Sequence, residues 1–218
     1  MTDAAQSENI PGTPSETGEK SRLSPVTVVV MLLSTIGLFA LIAVLSGSRN
    51  PFPGENSPET GFARDMILHH SQAVEMGLML YDRSQNDRLR GMALDIVLTQ
   101  QNQIGQMQGW LYLWGLSYSG SALPMTWMGT PVEGLMPGMA TAEQIAALRA
   151  SSGEDADRLF IELMIPHHQA GIHMAQSILS RTNIPAITQL ARAVLDGQQR
   201  EIAELQELGA AIGAKVSP

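Results

Sequence analysis

The stretch FARDMILHHSQAVEMG at residues 62–77 decides the fold, because residues 160–175 repeat it as FIELMIPHHQAGIHMA. The phenylalanine, two methionines and the adjacent histidines recur at a constant offset of 98 positions. The same offset carries Gln100, in the segment that follows the first copy, onto Gln198 in the segment that follows the second. One register shared by two consecutive segments indicates a duplicated helical hairpin.

The regions around the repeat carry apolar residues at helical spacing, with polar turns between them. Pro58 after Ser57 and a Thr141–Gln144 capping box mark two helix starts. Two amphipathic hairpins bury their apolar stripes most simply by packing against each other. We therefore predict an all-α four-helix bundle over residues 58–212. Its helices are expected at 58–82, 88–116, 154–181 and 185–212, with a short helix at 141–150.

The N-terminal part of the chain differs in composition from this bundle. Residues 1–24 are rich in Ser, Thr, Pro, Gly and Glu and are expected to be a disordered tail. Residues 25–47 carry no charge and are long enough to cross a bilayer, so we predict a single transmembrane helix as anchor there. Residues 48–57 form a short linker. A signal peptide is the alternative, and under either interpretation the bundle lies outside the cytoplasm.

Composition excludes several classes of function. The net charge is −8 and no dense Lys/Arg cluster occurs, which argues against a nucleic-acid partner. The chain has no cysteine, so disulfides, thiolate catalysis and iron–sulfur clusters are excluded. A site for a soft metal ion must therefore use methionine sulfur or imidazole nitrogen, and the chain has 13 Met and 5 His.

The adjacent histidines of each copy are the strongest candidates for such a site. Helical projection places His69 and His167 on the apolar face of their helices, while His70 and His168 fall at its edge. A methionine lies about one turn before each pair and another about two turns after it. The candidate metal ligands are His69, His70, Met66 and Met76 in the first copy, and His167, His168, Met164 and Met174 in the second.

The partner helices carry polar side chains within their apolar stripes. Gln100 and Gln103 lie in the first of these stripes, and Gln198 and Glu201 lie in the second. Burying imidazoles, amides and a carboxylate together costs several kcal/mol unless each group finds a partner. Glu201 is the only carboxylate expected in this layer and is a further candidate ligand. A His–Gln/Glu layer with a purely structural role is the alternative.

The donor set favours copper over other metals. Di-iron sites in helical bundles need several inward carboxylates and Glu-x-x-His motifs, and this sequence contains no Glu-x-x-His. Asp65 and Glu75 are expected to project away from the core. Imidazole and thioether donors suit Cu(I) and Ag(I). Zinc bound through imidazoles, and iron, are the less favoured metals.

Residues 117–140 lack helical spacing and form a Gly/Pro-rich segment, which we call the methionine loop. Its methionines are Met125, Met128, Met136 and Met139. Under one interpretation their thioethers wrap a soft ion, and Trp127 covers it through a cation–π contact. Under the other, the loop folds over the end of the bundle and its methionines fill gaps in the packing.

These motifs resemble those of the bacterial family catalogued as domain of unknown function 305. The resemblance rests on FARDMILHHSQAVEMG at 62–77, LFIELMIPHHQAGIHMA at 159–175 and LMPGMATAEQIAAL at 135–148, and it covers roughly residues 58–212. It implies a ferritin-like fold and binding of copper and silver outside the cytoplasm. As ligands it implies the eight histidines and methionines of the two copies, together with Met136 and Met139. The anchor is not implied by it.

The residues and the resemblance together predict a membrane-anchored protein that binds Cu(I) or Ag(I) in the periplasm or at the cell surface. Its role would be copper buffering, trafficking or tolerance. A copper-handling protein or a membrane complex is the candidate partner. The scarcity of inward carboxylates weighs against an enzyme. Two alternatives stay open: a ferritin-like dinuclear-metal oxidase, and a partner-docking helical module without metal.

Overall fold

The structure is a computed structural model that describes residues 24–45 and 51–215. Within these ranges all regular secondary structure is helical. The chain divides into two compact units, residues 1–51 and residues 52–218. The predicted tail, apart from residue 24, and part of the predicted linker lie outside the described residues.

The described residues of the first unit form one helix, α1, which runs Pro25–Leu45. The apolar stretch is therefore helical, as predicted. In the part of the chain that the structure describes, no helix qualifies as a membrane span. The predicted transmembrane anchor at 25–47 is not confirmed.

The second unit contains the duplicated hairpins and a short helix between them. Its described residues form α2 (Pro58–Arg83), α3 (Asp87–Leu113), α4 (Ala142–Ala150), α5 (Gly153–Leu179) and α6 (Pro185–Ile212). All five lie within a few residues of their predicted bounds. The largest deviation is at the end of α3, because Gly115 takes a φ of 71° and ends the helix before its apolar spacing ends.

Capping side chains mark the starts of α2, α3 and α4, whereas α5 and α6 have no side-chain cap. Ser57 and Asn86 accept hydrogen bonds from backbone N–H groups in the first turns of α2 and α3. Thr141 and Gln144 form the predicted capping box at the start of α4. These local signals explain why the starts of α2 and α4 could be located from the sequence.

The two hairpins, α2–α3 and α5–α6, pack into a four-helix bundle. Within each hairpin the helices lie along each other, and the hairpins meet mainly through α2 and α5. Contacts between α3 and α6 are far fewer. A groove therefore runs between the second helices of the two hairpins, α3 and α6.

The core of the bundle consists of two apolar clusters with a polar layer between them. The first cluster contains Phe160, Met76 and Met164, and the second contains Phe62 and Met66, each with residues from all four long helices. Between the clusters every long helix contributes two polar side chains. We call this the histidine layer: His69, His70, Gln100, Gln103, His167, His168, Gln198 and Glu201.

The methionine loop covers the end of the bundle formed by the second cluster. Met125 and Met136 are buried in that cluster, and Trp127 and Met139 pack against it. The ring of Trp127 meets Phe62 edge to face at 5.7 Å between centroids. The loop thus has the packing role that the second interpretation of its methionines describes.

Two polar side chains of α2 hold the loop in place. Asp65 Oδ2 accepts hydrogen bonds from the backbone N–H of Met125 at 2.7 Å and from Trp127 Nε1 at 2.8 Å. The amide of Gln72 pairs with both backbone groups of Ala140. Asp65 was expected to project away from the core; its side chain is directed to the loop, which covers it and leaves it buried. Its burial raises the pKa of the carboxyl, and the two hydrogen bonds oppose that rise.

Gly138 lets the loop lie on the backbone of α5. Its φ of 76° is in the left-handed region. A Cβ at this position would clash with the carbonyl oxygen of Pro166 and would lie 2.8 Å from the Cβ of Ala170. The loop therefore contacts α5 at the start of its His-His pair.

We expect Gly138→Ala to lower the free energy of unfolding by about 1–3 kcal/mol more than Gly134→Ala does. Both glycines have positive φ, but an added Cβ at Gly134 would meet no atom within 4 Å. The control therefore carries backbone strain alone, whereas Gly138→Ala adds a clash with α5. Urea unfolding of the two variants measures the difference. Equal losses would mean that the loop does not depend on this close contact.

Candidate metal centre

Four histidines occupy the centre of the bundle. His69 and His70 of α2, and His167 and His168 of α5, are all 0% exposed. The rings of His69 and His167 face each other with centroids 3.7 Å apart and planes inclined by 32°. Adjacent rings within one copy lie 6.3 Å and 6.2 Å apart. The histidines of both copies thus form a single buried cluster.

The expectation that His70 and His168 lie at the edge of the apolar face was wrong, because both are fully buried. Helical projection describes the face turned towards one neighbour, whereas α2 packs against both α3 and α5. His70 Nε2 lies 2.8 Å from Gln103 Oε1 on α3, and His168 Nε2 lies 2.7 Å from Glu201 Oε2 on α6. Each of these histidines faces the partner helix of its own hairpin.

These two contacts are equivalent under the 98-residue repeat, but they differ in chemistry. His70 and Gln103 form a hydrogen bond. His168 and Glu201 are within hydrogen-bonding distance, although the ring N–H is not aligned with the carboxylate. Glu201 keeps 21% of its side chain exposed. The carboxylate expected in the layer is therefore present, at the side of the layer that solvent reaches.

Most polar atoms of the histidine layer have no hydrogen-bond partner among the described residues. The unpaired atoms are both ring nitrogens of His69, of His167 and of His168, Nδ1 of His70, and the amide groups of Gln100 and Gln198. Leaving one buried polar group unpaired costs about 1–3 kcal/mol. Native proteins rarely leave buried polar groups unpaired. The large number of unpaired groups in this one layer therefore requires an explanation.

Burial keeps three of these imidazoles neutral at pH 7. Loss of hydration lowers the pKa of His70 to about 3, against the opposing effect of the Gln103 hydrogen bond. Burial, followed by the neighbouring histidines, lowers the pKa values of His69 and His167 well below 6.5. Neutral imidazole is the form that binds metal ions. The unpaired nitrogens can therefore act as donors at neutral pH.

Methionine side chains lie on both sides of the histidine layer. Met66 and Met174 belong to the second apolar cluster, and Met76 and Met164 belong to the first, with at most 1% of each exposed. Each side of the layer thus receives one methionine from each copy. Met136 and Met139 lie in the loop instead, in the turn whose Gly138 rests on α5 at Pro166 and His167.

The histidine layer suits a metal ion through the chemical types of its donor atoms. Among the described side chains, no group of three or more His, Cys, Asp or Glu has the spacing of a metal site. The layer offers neutral imidazole nitrogen and one carboxylate, with thioether sulfur on either side. Nitrogen and thioether donors suit soft ions such as Cu(I), and the shortage of carboxylates does not suit iron or manganese.

The groove between α3 and α6 approaches this layer from solvent. It is a hollow of about 540 Å³, and its lining includes Gln103 and Glu201 as well as two aspartates. Because Gln103 and Glu201 contact His70 and His168, they stand between the groove and the buried imidazoles. The groove therefore lies on the solvent side of these two residues, with the buried imidazoles behind them.

Sequence reasoning missed Asp65 and Gln72, which hold the methionine loop. A signal for them existed in the repeat, because the second copy has Leu163 in place of Asp65 and Ala170 in place of Gln72. The loop follows only the first hairpin. Polar residues that are present only in the first copy could therefore have been predicted to contact the loop.

Comparison with known proteins adds a family and several solved structures. The sequence model of the family described as domain of unknown function (DUF305) matches residues 59–209. A protein of Acanthamoeba polyphaga mimivirus, described as uncharacterized, is 38% identical over 46 residues, which are 21% of this chain. That match covers 30% of the viral protein, well under two thirds of its length.

Three solved structures share the fold over most of their length. A DUF305 protein from Streptomyces coelicolor, whose description proposes that it is secreted, is 41% identical with a TM-score of 0.72, covering 76% of this chain and 99% of that one. A DUF305 fragment from Deinococcus radiodurans is 31% identical with a TM-score of 0.58, covering 74% and 99%. CopM in its Cu(I)-bound form is 25% identical with a TM-score of 0.54, covering 70% and 96%. CopM has also been solved bound to Ag and to Cu(II).

Proposed function

This chain belongs to the DUF305 family, and from that membership together with the histidine layer we propose that it binds Cu(I) or Ag(I) outside the cytoplasm. Its role would be to buffer, pass on or confer tolerance to copper. The bundle would serve this role as a ferritin-like scaffold for a buried site. The observation that carries the proposal is the set of unpaired imidazole nitrogens at the centre of the bundle.

The free-energy cost of the layer supports a binding role. Four fully buried imidazoles with unpaired nitrogens destabilise the metal-free bundle, and leucine at those positions would not. A bound cation would satisfy the nitrogen lone pairs and offset this cost. The proposed ligands are His69, His70, His167 and His168, with the thioethers of Met66, Met76, Met164 and Met174 beside them.

The choice of copper or silver rests on the donors and on one relative. The chain has no cysteine, and methionine and histidine are the remaining donors for a soft ion. CopM, which shares the fold at 25% identity, has been solved with Cu(I), Cu(II) and Ag. Zinc, bound through imidazoles alone, is the next candidate. We include Met136 and Met139 only as neighbours that could assist transfer of the ion.

The location outside the cytoplasm is supported by the Streptomyces relative that is described as secreted. Attachment to a membrane through residues 25–47 stays a prediction. Membrane fractionation of cells that make the full-length chain tests it, because an anchored chain resists alkaline extraction and a peripheral one does not.

Anaerobic titration of the full-length chain with Cu(I), against a chromogenic Cu(I) chelator, tests the proposed function. We expect competition for Cu(I), displacement of Cu(I) by Ag(I), and much weaker binding of Zn(II). The variant His173→Leu should bind as the parent chain does, because His173 is exposed on α5. A chain that cannot compete with the chelator would refute the proposal, and bound iron with oxygen consumption would favour the oxidase instead.

A further inference from the structure

The positions of the ring protons on His70 and His168 follow from what their Nε2 atoms face. Gln103 presents its Oε1, an acceptor, to His70 Nε2 at 2.8 Å. Glu201 presents a carboxylate oxygen to His168 Nε2 at 2.7 Å. A carboxylate can only accept, and imidazole holds a proton more tightly than a carboxyl group does. Two lone pairs at these distances would repel, so Nε2 carries the proton in both rings.

The other ring nitrogen is then the free donor. A neutral imidazole has one ring proton, and with that proton on Nε2 the lone pair remains on Nδ1. Nδ1 of His70 and Nδ1 of His168 are both buried, and neither has a hydrogen-bond partner in the part of the chain that the structure describes. Both copies thus have a free Nδ1 and an oxygen facing Nε2, 98 residues apart, but only His70 Nε2 has hydrogen-bond geometry to that oxygen.

We propose that Gln103 and Glu201 are positioning residues that hold His70 and His168 with Nδ1 as the metal-binding atom. Metal-bound histidines commonly donate their second ring N–H to a carboxylate or carbonyl oxygen, which fixes the tautomer and the ring orientation. The inference rests on the proposed function, since it assigns donor atoms within the same site. It also changes the role of Glu201, which the sequence suggested as a ligand.

The difference in charge between Gln103 and Glu201 makes the two copies unequal. A cation held by His168 lies near the carboxylate behind that ring, whereas a cation held by His70 has only a neutral amide there. Glu201 also lines the groove between α3 and α6, so its charge acts on a cation that enters. We therefore expect a cation held by His168 to be bound more tightly than one held by His70.

The tautomer is tested by ¹⁵N NMR of the imidazole rings in the full-length, metal-free chain. We expect Nε2 of His70 and of His168 to give the signal of a protonated nitrogen, and Nδ1 to give the signal of an unprotonated one. A proton on Nδ1 of either ring would overturn the inference. Because no metal is present, this outcome would leave the proposed function untouched.

Substitutions of the two positioning residues test their effect on binding. Gln103→Leu and Glu201→Leu remove the acceptor, so each should release the tautomer of its histidine and weaken Cu(I) binding about 10–100-fold. Gln101→Leu is the matched control, because Gln101 is an exposed residue of the same helix. Leucine variants that keep both the tautomer and the Cu(I) affinity would refute the positioning role.

The reciprocal variants Glu201→Gln and Gln103→Glu keep the size of each side chain and its acceptor. We expect both to keep the tautomer, while Glu201→Gln weakens Cu(I) binding and Gln103→Glu strengthens it. Affinities that do not respond to either exchange would refute the inequality of the two copies. A parent chain that binds no Cu(I) would instead refute the proposed function, and the assignment of Nδ1 as donor would fail with it.

Discussion

Replacing His69 and His167 together by leucine is expected to weaken Cu(I) binding by more than about 100-fold. Losing two ligands should reduce the affinity more than losing a residue that only positions a ligand, which costs about 10–100-fold. The two rings face each other at 3.7 Å, so both copies lose their central donor at once. The metal-free chain should become more stable by at least about 1–3 kcal/mol, which is the cost of one such group, since four unpaired buried nitrogens are removed. Competition for Cu(I) and urea unfolding measure the two effects.

Weaker Cu(I) binding together with higher stability distinguishes a metal site from a layer with a purely structural role. A layer that only fixes packing would lose stability on substitution, and its metal binding would be absent in the parent chain as well. His173→Leu, the same change at an exposed position of α5, should alter neither property. Lower stability together with unchanged Cu(I) affinity would rule out His69 and His167 as ligands.

The metal-free chain is also expected to lose stability steeply as the pH falls below 6.5. Burial lowers the pKa of His70 from 6.5 to about 3, and it shifts the pKa values of His69 and His167 in the same direction. At pH 7 these imidazoles are neutral in the folded and unfolded states. Below 6.5 the unfolded chain takes up protons that the folded chain does not, so unfolding becomes more favourable. Each histidine contributes about 1.4 kcal/mol per pH unit over its window, which for His70 ends at about 3.

Urea unfolding at about pH 7 and about pH 5 measures this loss. Burial raises the pKa values of Asp65 and Asp157, which act in the opposite sense at lower pH, so more acidic conditions are avoided. His70→Leu should remove the contribution of one histidine to the pH dependence. Equal stability at the two pH values would contradict the burial of neutral imidazoles.

The repeat explains how much of the fold could be predicted. Because His69 and His167 occupy one register in two copies, the duplicated hairpins and the packing of their apolar stripes followed from the sequence. Capping residues such as Ser57 and Thr141 located helix starts, since they act on the backbone within their own first turn. Signals of this kind involve residues close together in the chain, so they can be recognised in the sequence.

The geometry of the site could be predicted only in part. The donor types and the presence of Glu201 in the layer followed from helical spacing. The burial of His70 did not, because it depends on a second neighbouring helix that a projection of α2 alone leaves out. The role of Asp65 did not either, because its partners in the methionine loop lie 60 and 62 residues away. Contacts of this range depend on how the whole bundle packs.

The division of the core by the histidine layer has a consequence for how the bundle opens. Each apolar cluster contains residues from α2, α3, α5 and α6. Neither hairpin therefore has a separate hydrophobic core. The hairpin is the unit of the repeat in sequence, but the end of the bundle is the cooperative unit in space. Amide hydrogen exchange would then group residues by bundle end, with one end fraying independently of the other and the histidines at the boundary between them.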